Sequence, residues 1–228
     1  MSFSQYKDFL KENTVITNTD EAEMILRVGE NIAKAAQKLL EANGRPDYLK
    51  DFEWEFKLVK DDSINAWAMP GGKIVFYSGI LDYAMDENGI AVIMGHEVAH
   101  TILNHGQQRM SAEILKQAGA IGLFLVTGSS EMQSLIMFAY GLGSDIFGTL
   151  PYSRQHEIEA DQYGLILMAL AGYEPDEAVT FWERMSSSGG SDVPEFLSTH
   201  PSYENRIGNL KLFSHEAKME AIKLGGSF

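Results

Sequence analysis

The sequence predicts an α+β domain, mostly helical, with a small antiparallel sheet and one central helix buried on nearly all sides. Three observations carry this reading. Ile90, Val92, Ile93, Met94, Val98, Ile102 and Leu103 cover most of one helix perimeter, interrupted on a single face by His96, Glu97 and His100. Phe52, Trp54, Phe56 and Leu58 alternate with Glu53, Glu55 and Lys57, the period-two signal of a half-buried strand. Met24, Val28, Ile32, Ala35 and Leu39 recur at helical spacing until Asn43-Gly44 stops them.

Composition bounds the rest. The 228 residues fit one domain, expected as a helical extension over 1–50, a core over 51–210 and a tail over 211–228. There is no cysteine, which excludes disulfides and thiolate metal sites and leaves histidine and carboxylate as strong ligands for a transition metal. The formal charge of -14, without clustered Lys or Arg, argues against a nucleic-acid partner.

Taken in order, residues 1–19 read as a short helix and a connector. Asp20 is placed to cap a long helix over 21–42. The strand over 52–58 is followed by Asn65-Ala66-Trp67-Ala68-Met69-Pro70-Gly71-Gly72 and a second strand over 73–77. Pro70 and the two glycines interrupt pairing there, which leaves either an ordinary turn or a strand edge able to take an extended peptide.

Asp86 is expected to cap the central helix. Two histidines four residues apart lie about 40° apart around a helix axis, so His96 and His100 can reach one point beyond its surface. Glu97 projects about 100° from His96, close enough to act on a water at that point without ligating a metal there. His105 lies about 180° from His96 and cannot share the metal.

Residues 111–151 read as two apolar helices, over 112–126 and 131–147, and the sequence leaves open whether they are core, a lid, or a surface meeting lipid or a hydrophobic partner. A further helix opens at Tyr152-Ser153-Arg154, where Glu157 and Asp161 share a face and Glu159 points elsewhere. A His₂Glu set leaves a coordination position open, and a carboxylate one turn on can accept the outer N–H of a ligating histidine. Glu157 is therefore expected as ligand and Asp161 as its support. A helix containing Phe181, Trp182 and Met185 comes next, then a serine-rich loop and a terminal helix after Thr199-His200-Pro201. Pro201 fixes the backbone beside His200, and Arg206 follows closely. His200 is a candidate oxyanion partner or fourth metal ligand, and Arg206 is the other catalytic candidate for offsetting oxyanion charge.

These motifs, Asn65-Ala66 with Pro70-Gly71-Gly72, His96-Glu97-x-x-His100, Ser153-Arg154-x-x-Glu157-x-Glu159-Ala160-Asp161, and Thr199-His200-Pro201 with Arg206-Ile207, resemble the gluzincin peptidases of family M48. The likeness runs from about Asn65 to Ile207. It implies a zincin-like domain with one zinc on His96, His100 and Glu157, with Glu97 as general base, Asp161 orienting a histidine, and His200 and Arg206 near the active site. A zinc endopeptidase acting on polypeptides is the expected function, with the substrate along Asn65, Ala66, Trp67 and Ala68 and a role in protein quality control of the envelope. The alternative is a chaperone-like or assembly factor whose zinc cleft is plugged.

The first residues, Met1 to Lys7, lack a basic segment followed by an apolar one, so no signal peptide is expected within this chain. The likeness to soluble members implies the bacterial periplasm, or membrane association as a processed lipoprotein, rather than the cytoplasm. If residues 111–151 are surface rather than core or lid, they are where a membrane surface or an envelope-protein partner would make contact.

Overall fold

The central helix and the helix that crosses it set the architecture. The structure, a computed structural model, describes residues 3–112, 114–115, 152–187 and 194–226. Its elements are α1 (Phe3–Glu12), β1 (Val15–Ile16), α2 (Asp20–Ala42), β2 (Glu55–Val59), β3 (Ala66–Met69), β4 (Lys73–Tyr77), a 3-10 turn (Ser78–Ile80), α3 (Leu81–Ala84) and α4 (Glu87–Ile102). After them come α5 (Arg154–Leu170), α6 (Glu177–Ser187), α7 (Glu195–Thr199) and α8 (Arg206–Lys223). Residues 105–112 are also helical.

Asp86 caps α4 as expected, its carboxylate accepting from the Asn88 and Gly89 N–H groups. Every residue of α4 from Gly89 to Ile102 is buried. Its most extensive partner is α5, and α2 covers another side. At the α4–α5 crossing the two backbones meet at Gly95 and Gly164. A Cβ on Gly95 would stand 2.6 Å from the Gly164 carbonyl oxygen, so only hydrogen fits. This close approach brings His96, the next residue, against the carboxylates of α5.

α2 is capped by Thr19 rather than Asp20: the Thr19 hydroxyl accepts from Ala22 N–H, and Asp20 is the first helical residue. Ile25, Val28, Ile32, Leu39 and Leu40 of α2 join the same hydrophobic cluster as α4. Leu210, Ala217 and Ala221 of α8 belong to it too.

The four-stranded sheet runs β1-β2-β4-β3 and is mixed rather than wholly antiparallel. β3 and β4 form the expected antiparallel pair, Trp67 opposite Val75, whereas β2 lies parallel to β4, Phe56 opposite Ile74. Gly71 and Gly72 are the reason. With φ of 89° and 91° they turn the chain so that their carbonyls accept from the Glu53 and Glu55 N–H groups, extending the parallel ladder. The strand expected over 52–58 begins only at Glu55. Phe52 and Trp54 precede it as a run of rings, Trp54 stacked on Phe56 at 6.0 Å. β1 pairs antiparallel to β2, and β3 is the other edge.

The two apolar helices expected over 112–126 and 131–147 fall largely outside the described residues, as does most of the serine-rich loop after α6. Among the described residues no helix is long and apolar enough to cross a membrane.

Candidate active site

Four buried side chains converge where α4, α5 and the segment after α7 meet. His96, His100, Glu157 and His200 each offer one donor atom, all within 4.8 Å of one another. His96 Nε2 lies 3.0 Å from His100 Nε2 and 3.2 Å from His200 Nδ1. Glu157 Oε2 is 3.4 Å from His96 Nε2, while its Oε1 is 3.3 Å from His100 Nε2 and 3.2 Å from His200 Nδ1. Donors held at about 2.0–2.1 Å by one tetrahedral ion stand about 3.3 Å apart, and these five contacts, made through both oxygens of Glu157, fall at that spacing. Two imidazole nitrogens cannot both aim lone pairs at a 3.0 Å neighbour unless a proton or a cation lies between them.

Charge gives a second test of fit. Glu97, Glu157 and Asp161 are buried at 1 %, 0 % and 4 % exposure, and Arg206 at 4 %, so three carboxylates and one guanidinium leave a formal charge of -2. A divalent cation bound by neutral histidines cancels it. The donor set, imidazole and carboxylate without sulfur, suits zinc.

The local electrostatics agree. Burial alone would drive the Glu157 carboxyl upward, but His200, His96 and His100 hold it far below the usual carboxylate range. Burial pulls the His96 imidazole down, yet Glu157 and Asp161 outweigh it and push it up to about 9. His100, for which burial dominates, is driven well below the ordinary histidine value. The cavity thus favours positive charge beside Glu157 and keeps His100 a neutral donor.

Each sequence-derived candidate has a definite place. Asp161 Oδ1 lies 2.9 Å from His96 Nδ1, the outer nitrogen, as a supporting carboxylate should. Asp161 also accepts from Arg206 Nε at 2.8 Å and Nη2 at 2.7 Å. Arg206 reaches Glu157 Oε2 at 3.4 Å and packs its guanidinium over the Trp182 ring at 3.4 Å. It therefore sits behind the ligands and is not among the residues lining the cleft. Glu97 faces the cleft: burial raises its carboxyl, opposed by His200 and His96, and Glu97 Oε1 lies 3.2 Å from His200 Nε2.

Asn65, Trp67 and Ala68 line a cavity of about 300 Å³ together with Glu97 and His200. Tyr77 N–H donates to Asn65 O, so by antiparallel alternation the amides of Ala66 and Ala68 point away from β4, Ala66 fully buried and Ala68 toward the Glu97 carboxyl.

Sequence reasoning missed three neighbours. The Tyr203 hydroxyl donates to Asp161 Oδ2 at 2.9 Å, and its position three residues before Arg206 was the available signal. Tyr152 stacks on His100 with centroids 3.9 Å apart, and only tertiary packing reveals that. His105, which its helical angle turns away from His96, touches His100 through the two Nδ1 atoms.

Comparison with known proteins fits this geometry. The sequence profile of Peptidase family M48 matches residues 27–213. The chain belongs to peptidase family M48. Among M48 relatives, the mitochondrial metalloendopeptidase OMA1 of Schizosaccharomyces pombe is 31% identical over 194 residues, covering 83% of this chain and 54% of that protein. OMA1 of Saccharomyces cerevisiae is 35% identical over 170 residues, 71% of this chain and 47% of that protein. The β-barrel assembly-enhancing protease of Escherichia coli is 28% identical over 183 residues, 77% of this chain and 37% of that protein. The chain thus spans about half or less of the length of these M48 relatives.

Proposed function

We propose that the 228 residues form a single zinc endopeptidase domain, hydrolysing extended polypeptides at the His96, His100 and Glu157 site. The convergence of those donors from α4 and α5 on one point carries the reading. Zinc, when bound there, polarises a scissile carbonyl and acidifies water. Glu97, one residue from His96 and facing the cleft, takes a proton from the attacking water and returns it to the leaving amine. Arg206 and Asp161 hold Glu157 and His96 in place, which moves Arg206 from an oxyanion role to a supporting one. His200, on the cleft side, is the remaining candidate for offsetting oxyanion charge.

The substrate lies along β3. The Ala68 amide on its outer edge faces the Glu97 carboxyl, and Asn65 Oδ1, buried and without a hydrogen-bond partner among the described residues, lines the same cavity and is available to a substrate N–H. The relatives' names, a mitochondrial endopeptidase and a protease enhancing β-barrel assembly, support quality control of membrane or envelope proteins, in the bacterial periplasm or at a membrane surface. Contact with an envelope partner would run through 111–151.

Glu97→Gln tests the assignment. Turnover of an unstructured protein should fall by roughly 10²–10⁴-fold while one zinc per chain remains bound, as metal analysis would read. Undiminished turnover refutes Glu97 as base.

A second reading, an assembly or chaperone-like factor with a plugged cleft, has one observation in its favour: His200 Nδ1 stands at the fourth corner of the donor set. His200→Ala separates the two. Raised proteolysis marks His200 as a plug, and lowered proteolysis marks it as part of the machinery.

A further inference from the structure

The cavity beside Glu97 has a wall that no metal chemistry requires. Phe9, from α1, meets the Trp67 ring edge-on at 5.2 Å and lies nearly parallel to Tyr77 at 6.4 Å. The Trp67 Nε1–H donates to the Tyr77 hydroxyl at 3.3 Å, fixing both rings. Met69, Met110 and Tyr152 add apolar surface, Glu97 and His200 close the end nearest the donors, and the charged Arg109, packed over the Tyr152 ring, and Glu195 complete the lining. At about 300 Å³ the space is at the small end for ligand sites, the size for one large side chain and its backbone. Ala68, beside the cavity, carries only a methyl group.

Resting on the peptidase reading, we propose that this cavity binds one bulky apolar side chain, aromatic or long aliphatic, of a polypeptide extended along β3, and that Phe9 sets its depth. A mostly apolar and aromatic lining rewards burial of such a side chain, and the two carboxylates against one guanidinium add to the cost of an acidic one. A helix outside the metal-binding elements would then govern what is cut.

The test uses the zinc-loaded full chain and matched peptides that differ at one position: Phe, Leu, Ala or Asp. Phe and Leu peptides should exceed the Ala peptide about 10–100-fold in kcat/KM, with Asp lowest. Phe9→Trp should shift the preference toward smaller residues, and Phe9→Ala should relax it, with zinc content unchanged. A flat profile, or the same profile in all three proteins, overturns the proposal. The Glu97→Gln protein titrated with the same peptides gives an arm that needs no turnover. Absence of cleavage together with the apolar preference in binding defeats the peptidase reading alone. Absence of that preference defeats this one.

A separate observation concerns His105, which is 0 % exposed. Its Nδ1 lies 2.9 Å from His100 Nδ1 and its Nε2 lies 3.1 Å from Glu159 Oε2. With His100 Nε2 turned to the other donors, His100 Nδ1 carries the proton. His105 must then accept at Nδ1 and donate its Nε2–H to Glu159. We infer that His105 and Glu159 are positioning residues fixing the ring of His100, as Asp161 fixes that of His96.

His105→Leu should speed zinc loss to a chelator 10–100-fold and change the visible spectrum of the cobalt-substituted protein. His105→Gln, which restores an acceptor, should recover part of both. If the Leu variant keeps the native zinc-release rate and cobalt spectrum, whatever its thermal midpoint, the positioning role is refuted.

Discussion

On the flank of α4 facing α5 and α8, the carboxylates are pinned several times over, and Arg206 Nη1 is the buried atom there without a hydrogen-bond partner among the described residues. Asp161 alone contacts His96, Tyr203 and both the Nε and Nη2 of Arg206. On the flank facing β3, Asn65 Oδ1 lacks a hydrogen-bond partner among the described residues, and Glu97 Oε1 meets His200 Nε2 at 3.2 Å without hydrogen-bond geometry. The contrast separates two tasks. Donors that must hold a divalent ion need a fixed shell, since a displaced buried charge is costly. A surface that receives a changing chain must leave its hydrogen-bonding groups open.

The largest way to break the closed flank is Arg206→Leu. It strands Asp161 and Glu157 without their cation, and loss of about 3–5 kcal/mol is expected in denaturant unfolding. A change below about 1 kcal/mol would mean that Arg206 does not balance the buried carboxylates. Stripping the metal with a chelator should come next. Zinc restored at about 1,000 times its Kd should return about 4 kcal/mol, read as a raised thermal midpoint. Equal midpoints with and without zinc would contradict the charge argument.

Gly164→Ala attacks the crossing that joins the two flanks. The new Cβ would meet Gly95 backbone at 2.9 Å, so a loss of about 1–3 kcal/mol is expected together with weaker zinc retention. A stable variant with normal zinc content would show that the crossing can widen freely. On the open flank, Asn65→Ala should cost under about 1 kcal/mol of stability, because it removes a buried unpaired acceptor, yet raise KM. An unchanged KM would remove Asn65 from the substrate path.

The smallest effect lies far from the site. Lys218 and Ser214 hold the Asp176 carboxyl below its ordinary value, with Lys218 Nζ at 2.7 Å. A depressed carboxylate stabilises above the unfolded-state pKa, and that contribution disappears as pH falls through the folded-state value. The group is largely solvated, so Asp176→Asn should flatten the acid limb of the stability curve by less than about 1 kcal/mol.

Much of the site was readable from spacing. Two imidazoles four residues apart on one helix, and Glu157 four residues before Asp161 on another, define two faces by local geometry alone. The β3–β4 hairpin and the Asp86 cap are local in the same sense. What tertiary structure decided is which faces meet and through what. Gly95 against Gly164, Arg206 on Asp161 rather than in the cleft, β2 beside β4, and His105 behind His100 each join residues distant in sequence or turned away by helical angle. Periodicity fixes directions within one element. The contacts between elements arise only when burial forces each polar group to find a partner.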